Sequence, residues 1–173
     1  MPTTTLPDPP ATAARPTPSR PGTWYFLTLI VHRRDPLLGE VQDRKLALTP
    51  AGLEVARAWK YSAAIRKEIH LGPWMVMPDH FHALVRVQQT TVSTEIAPRA
   101  PRLFQPPRIP GPLGSLVAGF KMGSTREVNR LRGTPRKRLW RRGVLYRVVG
   151  EADLESTARY ILENPRVWLT DHG

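Results

Sequence analysis

The stretch Thr23 to Val31, Thr-Trp-Tyr-Phe-Leu-Thr-Leu-Ile-Val, is β-branched and aromatic throughout and predicts a buried strand. Beyond it, Arg33 to Leu48 reads as loop, with a short extended piece near Val41 to Leu48. Thr49-Pro50 then supplies a helix start, a threonine N-cap with proline at the first helical position. Leu53, Ala56, Ser62, Ala63 and Ile65 carry that helix to about Arg66, with Val55 and Trp59 on a neighbouring stripe. Ile69 to Met77 and Phe81 to Val87 form two apolar strands joined at Pro78-Asp79. Gln88 to Pro112 is proline-rich and without apolar periodicity, a long flexible loop. Leu113 to Leu131 is a second helix, weakened by Gly114, Gly119 and Gly123 and ended by Gly133. Val144 to Val149 is a short strand, and Ala152 to Glu163 a last helix that Asn164-Pro165 stops.

The element order, β-α-β-β-α-β plus a C-terminal helix, is that of an α+β, ferredoxin-like split βαβ fold. It predicts an antiparallel sheet with helices on one face, in a single domain over 23–173. Met1 to Gly22, rich in Pro and Thr and without a signal peptide's apolar core, reads as a disordered tail.

Against that framework the tripeptide His80-Phe81-His82 stands out. Side chains two apart on a strand share a face, so the two imidazoles project together and Phe81 projects away. Such a pair can grip one metal ion, although an H-x-H tripeptide alone is a weak signal. It leaves most of the coordination sphere open, and the remaining ligands must come from elsewhere in the fold. On the last helix Tyr160 and Asn164 stand four apart and so share a face, one offering a phenol and the other a hard oxygen ligand. Tyr25, Tyr61 and Tyr146 compete for any role as nucleophile. Tyr25 falls in a buried strand and Tyr61 has no adjacent ligand, which leaves Tyr146 as the serious rival.

Charge narrows the partner. The 173 residues carry 26 Lys+Arg against 14 Asp+Glu, a formal charge of +12, which favours a polyanion. No apolar run is long enough to span a bilayer and no basic amphipathic helix is evident, so nucleic acid is expected and a membrane is not. With no cysteine, thiolate zinc sites, disulfides and cysteine nucleophiles are excluded, and the composition fits the reducing cytosol. Between Glu127 and Glu151 there is no acidic residue, while Arg130, Arg132, Arg136, Lys137, Arg138, Arg141, Arg142 and Arg147 all occur. Trp140 and Tyr146 are interleaved with them. Cations to neutralise phosphates beside aromatics to stack bases make a surface for single-stranded nucleic acid, with Trp140 as the stacking platform.

Taken together, Tyr25-Phe26-Leu27-Thr28, Val76-Met77-Pro78-Asp79-His80-Phe81-His82, Leu139-Trp140-Arg141-Arg142-Gly143 and Tyr160-Ile161-Leu162-Glu163-Asn164-Pro165 resemble the single-tyrosine HUH transposases, most of all their REP-associated tyrosine transposase branch. The matching residues span Thr23 to Trp168. The resemblance implies a divalent metal, magnesium or manganese, with His80 and His82 as ligands, Asn164 as the third ligand and Tyr160 as the nucleophile. It implies cleavage of single-stranded or hairpin DNA through a 5′-phosphotyrosyl link. Many members have Asn where this chain has Asp79, and the proline-rich insert is long. Two rivals predict otherwise. A non-catalytic DNA-binding derivative would form no adduct, and a metal-dependent hydrolase using activated water would nick without one.

Overall fold

The computed structural model describes residues 22–88 and 111–172. The expected tail, apart from Gly22, lies outside them, as does the expected proline-rich loop apart from its two ends. The described residues form six strands and three α-helices: β1 Trp24–Ile30, β2 Gly39–Gln42, β3 Lys45–Leu48, α1 Pro50–Ala64, β4 Ile69–Val76, β5 His80–Val87, α2 Gly111–Arg132, β6 Leu145–Val149 and α3 Leu154–His172. The main sheet runs β4-β5-β1-β6 with every neighbour antiparallel. This is the α+β, ferredoxin-like arrangement expected, with β1 and β5 in the centre.

Alternation along the central strands sorts the molecule into two faces. Tyr25, Leu27 and Leu29 of β1 and Phe81, Ala83 and Val85 of β5 are buried together with Val55 and Trp59 of α1 and Leu116 and Phe120 of α2. The intervening Phe26 and Leu84 are buried on the opposite side with Ile161 of α3 and Val149 of β6. So α1 and α2 cover one face and α3 the other.

Three expectations need correction. The segment over 33–48 is not a loop with one extended piece but contains a two-stranded hairpin, Glu40 opposite Ala47 and Val41 opposite Leu46. Its two-residue turn, Asp43-Arg44, has both φ angles positive, 47° and 61°. That is the primed geometry such turns require, here without the glycine that advertises it. In α1 the buried stripe is Ala51, Val55, Trp59 and the expected Ser62, whereas Leu53 is exposed, as is Ile65 just past the helix end. The N-cap is as expected, the Gly52 amide donating to Thr49 Oγ1 at 3.2 Å. Gly52 itself cannot be larger, because a Cβ there would lie 1.9 Å from the Leu38 carbonyl oxygen. Finally, α3 does not stop at Asn164 but continues through Pro165 to His172. Proline removes one amide donor and crowds the carbonyl four residues back, yet Asn164 and Pro165 are buried and Trp168, a turn further on, meets His80 at 5.6 Å between ring centroids. Packing against the sheet outweighs the local preference.

Candidate active site

Register decides what lies beside the two histidines. Thr28 pairs with His82 and Ile30 with His80, so β1 supplies the floor on the α3 face. Thr28 Oγ1 and His82 Nδ1 are hydrogen-bonded at 2.9 Å. On the adjoining turn Asp79 Oδ1 and His80 Nδ1 lie 2.5 Å apart, and Arg34 Nη1 donates to Asp79 Oδ2 at 3.2 Å. Each imidazole is thus held at Nδ1, with Nε2 as its other ring nitrogen, and the Leu27 backbone also hydrogen-bonds the His82 ring. The rings stand 4.4 Å apart between centroids, at 66°. Holding one ring nitrogen by a carboxylate or hydroxyl while the other faces a metal is the usual way ligating histidines are oriented.

Electrostatics agrees with that state. Burial, helped by the neighbouring His80, lowers the His82 pKa to about 3, so its imidazole is neutral at pH 7 with a lone pair to offer. For Asp79 burial opposes ionisation, but the hydrogen bonds and charges of His80 and Arg34 outweigh it and hold the carboxyl below its ordinary value. The carboxylate is therefore charged and engaged, an orienting group rather than a spare ligand.

The last helix closes the site. Tyr160 lies 5.7 Å from His82 and 6.0 Å from Phe26 between ring centroids. Two turns on, Trp168 lies against His80. Asn164 is midway along the same i, i+4, i+8 stripe. It is 5% exposed. Among the described residues no three His, Asp or Glu cluster tightly enough to hold a metal by themselves. A neutral oxygen could complete such a set, and the Asn164 amide, on the same helical stripe as Tyr160 and Trp168, is one the last helix offers. Two imidazole nitrogens and an amide oxygen are a donor set that could hold a divalent ion, the imidazoles suiting manganese or zinc better than magnesium.

The rival tyrosine is separated from this face. Tyr146 is paired with Leu27 on β6 and packs against the α1–α2 core. Tyr25 is buried on that same side, and Tyr61 is exposed on α1.

The basic segment splits. Arg130, Arg132, Arg136, Lys137, Arg138, Arg141 and Arg142 are all exposed, on the end of α2 and the connection to β6. The connection is pinned to α2 by Lys121 Nζ, which donates to the Arg141 and Gly143 carbonyls at 2.7 and 2.8 Å. Trp140 is not a stacking platform. It is 3% exposed, bridges to Val31, packs on Phe120, and its Nε1 donates to Ser124 Oγ at 2.9 Å. A single aromatic within a charge run is ambiguous in sequence, and here the core claims it.

Sequence reasoning missed Thr28, Arg34 and Trp168. Pairing register is not written in any one strand, so the Thr28–His82 contact had no local signal, and Trp168 lay beyond the expected end of its helix.

Fold and site together define a ferredoxin-like domain with an H-x-H pair facing a tyrosine-bearing C-terminal helix. No family model matches the chain. Its fold is that of a REP-associated tyrosine transposase: the solved structure of such a protein bound to a REP hairpin superposes with a TM-score of 0.56 over 91% of this chain and 72% of that one, at 16% identity. A structure described as a transposase from Deinococcus radiodurans R1 is similar at a TM-score of 0.49 and 16% identity, over 82% of this chain and 89% of that one. In sequence the chain is 22% identical over 151 residues to an uncharacterized protein of Haemophilus influenzae, 86% of this chain and 83% of that protein.

Proposed function

We propose that this protein is a DNA-nicking and rejoining enzyme of transposase type, acting on single-stranded or hairpin DNA with Tyr160 as nucleophile. The observation that carries the reading is the meeting of Tyr160 with His82, 5.7 Å apart between rings, on the face away from the main core.

His80, His82 and Asn164 would hold a divalent ion, Mg2+ or Mn2+, which when bound supplies polarisation of a phosphate oxygen and offsets charge in the transition state. The phenol of Tyr160 attacks phosphorus. An Oη–P bond forms, the P–O3′ bond breaks, and the phenol's proton is lost as the departing 3′-oxygen gains one. The strand end stays on the protein as a 5′-phosphotyrosine, so a 3′-hydroxyl can later attack it and regenerate the tyrosine without ATP. The exposed arginines between Arg130 and Arg142 neutralise backbone phosphates. His82, neutral through burial, needs to shed no proton to act as a ligand.

The test is a denaturing gel. Wild-type protein, Mn2+ and a labelled hairpin oligonucleotide with single-stranded flanks should give a heat- and detergent-resistant adduct. Tyr160→Phe should lose it to background while keeping DNA affinity within about twofold, because the ring's packing is unchanged. Tyr146→Phe should keep it. A nick with no adduct would instead support activated water, and an undiminished adduct in Tyr160→Phe would sink the assignment.

A further inference from the structure

One cation on the α3 face has no role in the arrangement above. Arg147 pairs with Phe26 across the β1–β6 ladder, which turns its side chain to the same side of the sheet as His82. Its guanidinium sits over the Phe26 ring, 5.3 Å from the centroid, and Nη2 donates to Thr157 Oγ1 at 3.1 Å. Thr157 and Tyr160 are three apart on α3 and share a face, so the guanidinium is anchored one turn from the root of the tyrosine. Phe26 in turn touches both Tyr160 and His82, the latter at 5.0 Å between rings. Arg147 is exposed and forms no ion pair among the described residues, unlike Arg34, whose guanidinium is committed to Asp79. A guanidinium has five donors in a planar fork. One is used on Thr157, and that bond with the Phe26 face beneath fixes the plane of the fork.

We propose that Arg147 binds a backbone phosphate of the DNA strand next to the phosphate that Tyr160 attacks. This rests on the function proposed above and deepens it by assigning the path of the strand, across Phe26 from β6 towards His82. The Phe26 ring lies between Arg147 and His82, so the phosphate on Arg147 is a neighbour of the attacked one rather than the attacked one itself. Thr157 and Phe26 act as positioning residues that keep the fork flat and facing outward. A purely structural Arg147, tying β6 to α3, would need Thr157 alone and would be indifferent to any one phosphate.

The experiment uses full-length Tyr160→Phe protein with Mn2+, so that no covalent product forms. The probe is a fluorescein-labelled hairpin with single-stranded flanks, the one on which wild-type protein forms the adduct. Single phosphates around the cleavage position, mapped first with wild-type protein, are replaced by uncharged methylphosphonates. One replacement beside the cleavage position should weaken binding about tenfold, as expected for a bidentate charged contact. The same replacement should cost nothing further in the Tyr160→Phe, Arg147→Ala protein, whose affinity is already about tenfold lower. Arg147→Lys should recover part of the affinity through charge but not the full coupling. The inference is overturned if every methylphosphonate costs the same with and without Arg147, or if Arg147→Ala binds as tightly as its parent. If wild-type protein forms the adduct and the coupling is missing, only this inference falls. If wild-type protein forms no adduct, the tyrosine reading falls and takes the inference with it.

Discussion

On β5, Phe81, Ala83 and Val85 enter a core closed by α1 and α2, while His80 and His82, interleaved with them, enter the face closed by α3. The first face is packed with aromatics, Phe81 lying 4.9 Å from Trp59 and 5.1 Å from Phe120 between centroids. The second has a small apolar cluster of Phe26, Leu84, Val149 and Ile161 beside a run of buried polar groups, Asp79, His80, His82, Thr157 and Asn164. Buried polar groups cost stability unless bonded. On the α1–α2 face Ser124 is bonded to Phe120 O and to Trp140. The α1–α2 face leaves Trp59 Nε1, among the described residues, as a buried atom without a partner in an otherwise apolar core, whereas the α3 face gathers those five polar residues around the histidine pair. A sheet of alternating side chains can therefore assign stability to one surface and chemistry to the other within a single strand, and substitutions one residue apart should separate the two.

The strongest way to break this comparison is the pair Phe81→Ala and His82→Ala. Phe81→Ala should destabilise the protein by about 3–5 kcal/mol, the range for truncating a fully buried Phe, read as a fall in the denaturant midpoint. His82→Ala should abolish Mn2+-dependent adduct formation with about 1–2 kcal/mol of stability lost, since its partner Thr28 is half-buried and can turn its hydroxyl to water. If His82→Ala unfolded the protein as Phe81→Ala does, the division of labour between faces would be wrong.

Within the α3 face, Asp79 sharpens the contrast between ligand and orienting group. Asp79→Ala frees His80 Nδ1 and strands Arg34, and should weaken Mn2+ binding about 10–100-fold by titration calorimetry, the scale for losing a partner that orients a ligating histidine. Asp79→Asn keeps an oxygen acceptor for His80 and should lose clearly less. Equal affinity in wild type and Asp79→Ala would show that His80 needs no such support.

The basic segment divides along the same line. Arg138→Ala should reduce the slope of log K against log salt for DNA binding by about one and leave stability alone. Trp140→Ala should destabilise by about 3–5 kcal/mol, and any loss of DNA affinity should follow that unfolding rather than a lost stacking contact.

How much of this was legible in the sequence follows from which signals are local. The β1 run, the Thr49 N-cap, the turn at Pro78-Asp79 and the H-x-H pair are written in a few adjacent residues, and each stands where it was expected. The sharing of a face by Tyr160 and Asn164 is also local, being a property of helix period. The arrival of Tyr160 beside His82 is not, because it depends on where α3 crosses the sheet. Trp140 and Pro165 show the opposite failure. Their local signals were clear, stacking for one and helix termination for the other, and tertiary burial overrode both.

The hairpin β2–β3 gives the smallest test and bears on how the α3 face is held. α3 contacts β2 and β3 as well as β4 and β5, so the hairpin braces the helix that carries Tyr160 and Asn164. Its turn places Arg44 at φ 61°, left-handed backbone that costs a residue with a Cβ about 1 kcal/mol and costs glycine almost nothing. Arg44→Gly converts Asp43-Arg44 into Asp-Gly, the preferred pair for this turn. Glycine also widens the unfolded ensemble, which offsets part of the gain. The expected outcome is about 0.5 kcal/mol of added stability with the rate of adduct formation unchanged. A loss of stability would mean that the Arg44 side chain contributes more than its backbone costs. Faster adduct formation without a stability change would mean that the brace sets the position of α3 rather than merely holding it.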